Sequence, residues 1–176
     1  RIIDMYNVHK GKLVLDHKGL YTIEKFLLSR KLMYLQVYMH KTVLSAEHTL
    51  MNILKRAKHL AYKKQAIFMT NNLKKFLNEE INMNDQTNLT ENLNYFSQLD
   101  DYDIMISIKE WQKSDDIILS MLSKQIIDRK LHKIEEIERK ELAQVVKKIK
   151  KRLLAKYSLK NSDLEYLVFP IKTKHK

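Results

Sequence analysis

Two cations and two tyrosines share one apolar helical stretch, a combination that suits a phosphate-bearing ligand. The stretch is Lys18 to Leu50, KGLYTIEKFLLSRKLMYLQVYMHKTVLSAEHTL, and after Gly19 it holds no glycine or proline to break a helix. Ile23, Leu27, Met33, Tyr34, Val37, Tyr38, Leu44 and Met51 share one broad face at the helical repeat. Arg30 and Lys41 fall inside that apolar arc, as does His48. On a straight helix, Arg30 and Lys41 would project to nearly the same side roughly 16 Å apart. An unpaired cation on a buried face costs several kcal/mol unless an anion meets it. The alternative is that both side chains snorkel to water or pair with carboxylates of a neighbouring helix.

Other groups could do chemistry, each with a plainer reading beside it. Asp16-His17-Lys18-Gly19 leads into the long helix, whose first free N–H groups and positive dipole end suit an anion. Lys18 there is either a phosphate ligand or a solvated loop lysine. The acidic groups Asp100-Asp101 and Ser114-Asp115-Asp116 suggest a metal at first sight. Carboxylates at helix starts are also what capping and dipole stabilisation require, and no histidine lies at ligand spacing. Lys55, Arg56, Lys58, Lys63, Lys64, Lys74 and Lys75 read as a solvated face.

These residues need helices to position them. Two glycines and one proline among 176 residues argue for a mainly α protein. We expect an irregular multi-helix bundle with a small α/β appendage at the C-terminus. Arg1 to Val8 reads as a helix end, His9 to Lys12 as a turn, and Leu13 to Leu15 as a short strand. The long helix continues or bends through Ala57, and another runs to about Asn78. Asn82 to Asn92 is polar and reads as a loop, with Thr90 capping a short helix beyond it. Asp100 or Asp101, and then Ser114 to Asp116, cap two further helices. Arg139 to Tyr157 reads as a basic amphipathic helix, and Tyr166 to Phe169 as a strand ended by Pro170. The expected division is a helical part over residues 1–134 and a basic helix with a short strand over residues 135–176.

A formal charge of +12 implies anionic partners. The absence of cysteine excludes disulfides and thiolate metal sites, and fits a reducing cytoplasm. No apolar run is long enough to span a bilayer, and no membrane partner is expected. The first residues already read as the middle of an amphipathic element, so we expect a piece of a longer protein.

KGLYTIEKFLLSRKLMYLQVYMHKTV resembles the segment after the metal site in HD-domain phosphohydrolases of the deoxynucleoside triphosphate triphosphohydrolase group. That group includes dGTPase-like and SAM-and-HD-domain-like enzymes. A second block, LDDYDIMISIKEWQ with LSKQIIDRKLHKI, resembles later helices of the same proteins, and together the blocks cover residues 1–134. The resemblance implies the C-terminal half of an HD-type domain, downstream of its His-Asp metal motif. It implies that Arg30 contacts the substrate triphosphate and that Tyr38 packs on the deoxyribose, with Tyr34 beside them. It further implies that Arg1, Lys18, His40, Lys41 and Arg129 line a regulatory nucleotide site between subunits of a dimer or tetramer. A guanidinium forks onto phosphate oxygens, and an aromatic wall beside a sugar excludes bulk.

The sequence departs from the mammalian pattern, which has histidine at Tyr34, arginine at Gln36 and glutamine at Met39. No His-Asp dipeptide occurs; Asp16-His17 is the reverse order. The divalent metal of such enzymes would therefore have its ligands upstream of Arg1, so this stretch should hold no catalytic residue or metal and be inactive alone. The expected function is one wall of a dNTP pocket in a cytoplasmic, oligomeric phosphohydrolase. The competing reading is a basic module that binds nucleic acid or protein without catalysis. The first predicts cations turned inward beside Tyr38, the second an exposed basic stripe on Arg139 to Lys156.

Overall fold

A computed structural model describes residues 2–79 and 86–171. The architecture is mainly α, as expected. In chain order come strands β1 (Tyr6–His9) and β2 (Lys12–Leu15), then helices α1 (Leu20–Met33), α2 (Lys41–Tyr62), α3 (Asn71–Asn78) and α4 (Gln86–Gln98). Helices α5 (Asp101–Trp111), α6 (Ile117–Ile127), α7 (Leu142–Lys156) and the single turn α8 (Leu164–Leu167) follow. No helix among the described residues is long and apolar enough to cross a membrane. The chain divides into two compact units, residues 1–44 and residues 45–176.

In the first unit, β1 and β2 pair antiparallel with Val8 opposite Leu13 and His9 opposite Lys12. Lys10 and Gly11 make the turn with φ of 49° and 72°, the left-handed pair that a tight hairpin requires. Tyr6 to Val8 is therefore a strand and not the helix end expected from the sequence, because the turn gives it a partner. Asp16 caps the turn His17–Gly19 by accepting from the Lys18 N–H at 3.2 Å. Gly19 is buried, and a Cβ there would lie 2.9 Å from both Leu15 Cδ1 and Met5 Cβ. Glycine lets the hairpin base press against the start of α1.

The single long helix expected from the sequence does not form. Tyr34–Tyr38 is a π-turn, and the chain leaves the helix at Met39 before α2 begins. The apolar face expected as core is largely exposed: Leu27, Met33, Val37 and Met51 all meet solvent.

The second unit holds the core. Trp111, Ile53, Ile108, Ile118, Leu119 and Leu122 are essentially inaccessible. The Trp111 Nε1–H donates to the Phe68 carbonyl at 2.8 Å, which satisfies the indole inside this cluster. Asp100 starts α5 in a capping box with Asp103, and Asp116 starts α6 by accepting from the Leu119 N–H at 2.8 Å. Leu153, Leu159, Tyr166 and Val168 pack against the same core.

Two local expectations fail here. Residues 82–85 of the expected polar loop lie outside the described residues, and from Gln86 the chain is helical, with Thr90 inside α4. Phe96 meets Phe76 of α3 edge-on at 6.3 Å, a contact that rewards the helix. Tyr166 to Phe169 is not a strand. Leu164 and Leu167 are both buried, and only helical spacing turns residues three apart onto one face.

Candidate functional site

Arg30, Tyr34 and Tyr38 form one row along the end of α1 and the π-turn. The Arg30 guanidinium lies 5.7 Å from the Tyr34 ring centre, and the Tyr34 and Tyr38 rings are 5.1 Å apart, tilted by 43°. The Met39 N–H donates to the Tyr34 carbonyl at 2.9 Å, the five-residue spacing that defines a π-turn. All three side chains are exposed within this chain, with Tyr34 at 44% and Tyr38 at 53%. The row offers a cation followed by two aromatic faces, which suits a phosphate joined to a flat or puckered ring.

The three-turn alignment of Arg30 with Lys41 presumed an unbroken helix, and that geometry is not formed. Lys41 instead opens α2, exposed in its first turn. His40 is the residue before it, and its Nδ1 accepts from the Thr42 N–H at 3.2 Å. That bond caps the start of α2 with the imidazole Nδ1. Lys18 is exposed in the turn that precedes α1. Arg1 lies outside the described residues.

Arg129 sits just past the end of α6 with φ of 57°. Its N–H donates to the Ile126 carbonyl at 3.3 Å and the Lys130 N–H to the Gln125 carbonyl at 3.0 Å, the paired bonds of a Schellman cap. Glycine is the usual residue at that left-handed position, and a side chain there costs roughly 1 kcal/mol. The same motif closes α2, where Lys64 has φ of 56° and the Gln65 N–H reaches the Leu60 carbonyl at 3.1 Å.

Arg56 is the charged residue that sequence reasoning misplaced. It is not part of a solvated face. Its Nε and Nη2 donate to Asp116 Oδ1 and Oδ2 at 3.0 and 2.6 Å, and its Nη1 to Asp163 Oδ1 at 3.0 Å. The Tyr166 ring lies 5.3 Å from the guanidinium. Burial by itself would lower the Arg56 pKa, but the hydrogen bond and charge of Asp116, with the charge of Asp163, raise it instead. Burial would likewise raise the Asp116 carboxyl, yet the bond from Arg56 and backbone donors at Leu119 and Ile118 hold it below the usual carboxylate range. Beside this cluster a cavity of about 480 Å³ is lined by Asn52, Lys55, Lys58, His59 and Tyr62 of α2 with Glu165 and Tyr166. Burial, and then the nearby charge of Lys63, lowers the His59 pKa.

Comparison with known proteins places these elements. The family described as the HD associated region matches residues 1–76. The crystal structure of a phosphohydrolase from Bacteroides thetaiotaomicron VPI-5482 superposes with a TM-score of 0.81 and 38% identity, covering 94% of this chain and 42% of that one. The fold is HD-domain-related. The uncharacterized protein YwfO of Bacillus subtilis (strain 168) is 28% identical over 136 residues, 77% of this chain and 29% of YwfO. The chain thus spans less than half the length of either relative.

Metal-assisted hydrolysis needs side chains that converge on the ion. Among the described residues no group of three or more histidine, aspartate or glutamate side chains converges as such a site requires. The acidic residues at Asp100 and Asp116 are committed to capping and to Arg56. These residues do not fit the role of metal ligands.

Proposed function

We propose that this chain is the helical C-terminal part of an HD-type metal-dependent nucleotide phosphohydrolase acting on deoxynucleoside triphosphates. The observation that carries this reading is the likeness to a solved phosphohydrolase at 38% identity over 94% of the chain. The row Arg30, Tyr34 and Tyr38 supports the choice of substrate, since a guanidinium neutralises phosphate and neighbouring aromatic rings can wall a sugar. In this proposal Arg30 binds the triphosphate and Tyr38 packs on the deoxyribose, where a 2′-hydroxyl would collide. The parent releases a nucleoside and triphosphate. Lys18, His40, Lys41 and Arg129 contact a regulatory nucleotide in the assembled oligomer.

The test is steady-state hydrolysis by the intact protein. Arg30→Ala should lower kcat/KM for dGTP by about a hundredfold, the equivalent of about 3 kcal/mol for a charged hydrogen bond. Tyr38→Ala should narrow the preference for dGTP over GTP. Unchanged turnover in Arg30→Ala would remove that residue from the pocket.

A further inference from the structure

One face of α7 is a strip of exposed cations. Lys147, Lys148, Lys151, Arg152 and Lys156 are all exposed, and they span about half the helix circumference along roughly 14 Å of axis. The apolar side is anchored: Val146, Ile149 and Leu153 are half-buried, and Leu153 packs against the core of the second unit. None of the five cations is held in an ion pair among the described residues. Lys156 alone has a further contact, its Nζ lying 5.3 Å from the Tyr157 ring centre. The helix itself carries no carboxylate, and Glu141 at its start stands six positions before Lys147. Like charges at i and i+4, here Lys147 with Lys151 and Lys148 with Arg152, destabilise a helix in isolation. An unneutralised strip of this kind is stabilised when counter-charge of matching length docks on it.

We propose that this strip docks the phosphodiester backbone of nucleic acid without reading its sequence. A duplex presents about one negative charge per 1.7 Å of axis, so the strip faces enough phosphates to occupy each cation. The five side chains are long, flexible and without interleaved aromatics, which suits backbone contact and not base readout. A membrane surface is disfavoured, because, on the apolar side that would embed, Leu153 packs against the core and Val146 and Ile149 are half-buried. The formal charge of +12 steers such a polyanion towards the protein. The strip needs no hydrolase activity in order to bind.

The experiment is fluorescence anisotropy of the intact protein with a labelled 30-base duplex and a labelled single strand between 50 and 200 mM salt. A variant carrying Lys147→Gln, Lys148→Gln, Lys151→Gln and Arg152→Gln should bind at least thirtyfold more weakly at 100 mM salt. Its slope of log K against log salt on the duplex should be shallower by about 3.5, because each cation that no longer neutralises a phosphate removes roughly 0.9. dNTP hydrolysis should be unchanged, and circular dichroism should show the helix content retained. A charge-matched control with Lys63, Lys64, Lys109 and Lys113 each changed to glutamine should keep most of the affinity. Equal loss in that control would mean diffuse attraction and would overturn the strip. So would an absence of binding at 50 mM salt, or tighter binding to phosphatidylserine vesicles or to a poly-glutamate peptide than to either oligonucleotide.

Discussion

Arg56 and Asp116 meet fork to fork, with Nε to Oδ1 at 3.0 Å and Nη2 to Oδ2 at 2.6 Å, although sixty residues separate them. Asp116 also caps α6, so one carboxylate ties the start of that helix to the middle of α2. Asp163 brings the turn before α8 to the same guanidinium at 3.0 Å.

Removing the hub should therefore be severe. Arg56→Met leaves two partly buried carboxylates without their cation and should cost about 3–5 kcal/mol in urea denaturation. Adding Asp116→Asn should recover part of that loss, with a coupling energy above about 1 kcal/mol. Additive losses would mean that the pair does not act as a unit.

Acid should weaken the fold in two separate windows. Burial lowers the His132 pKa, so the folded state takes up its proton less readily than the unfolded chain. Stability should fall as the pH drops from about 6.5, the ordinary histidine value, towards the lower folded value. His132→Phe should make that limb shallower, with His59, also lowered by burial, supplying the remainder. The Asp116 contribution is complete above the ordinary carboxylate value and is lost as the pH falls through the still lower folded value. Asp116→Asn should flatten only this more acidic limb. Denaturation midpoints measured from pH 8 to pH 3 separate the two.

Gly19→Ala should loosen the hairpin. Its new Cβ would meet Leu15 Cδ1 and Met5 Cβ, both 2.9 Å away. Leu15 can rotate aside, but Met5 Cβ moves only with its backbone, so a cost of about 1–3 kcal/mol follows. Amide hydrogen exchange in β1 and β2 of the intact protein should speed up. Unaltered exchange there would show that the contact is easily relieved.

Arg129→Gly should trade function for stability. Glycine relieves the left-handed strain, and the net gain should be about 0.5–1 kcal/mol. If the proposed role is right, nucleotide-dependent assembly, followed by analytical ultracentrifugation with dGTP, should weaken at the same time. Lys64→Gly relieves the same strain at the end of α2 and should leave assembly untouched.

Some local features could be read directly. The caps at Asp100 and Asp116 were legible because a short polar side chain before an apolar periodic run satisfies free N–H groups within three residues. The turn at Lys10-Gly11 was legible for the same reason of range. The mainly α architecture followed from the scarcity of helix breakers. Only the tertiary structure decided the rest. Nothing in the composition of Tyr34 to His40 forbids a continuous helix, yet the chain passes through a π-turn at Tyr34–Tyr38, leaves the helix at Met39 and starts again at Lys41. Arg56 is indistinguishable in sequence from its lysine neighbours; what sets it apart is the arrival of Asp116 and Asp163 from positions sixty and more residues away. Leu164 and Leu167 became helical because the core lay on one side of them. Backbone satisfaction is a short-range problem that a sequence states openly, whereas the partner of a charge or the face of a helix depends on which distant surface reaches it first.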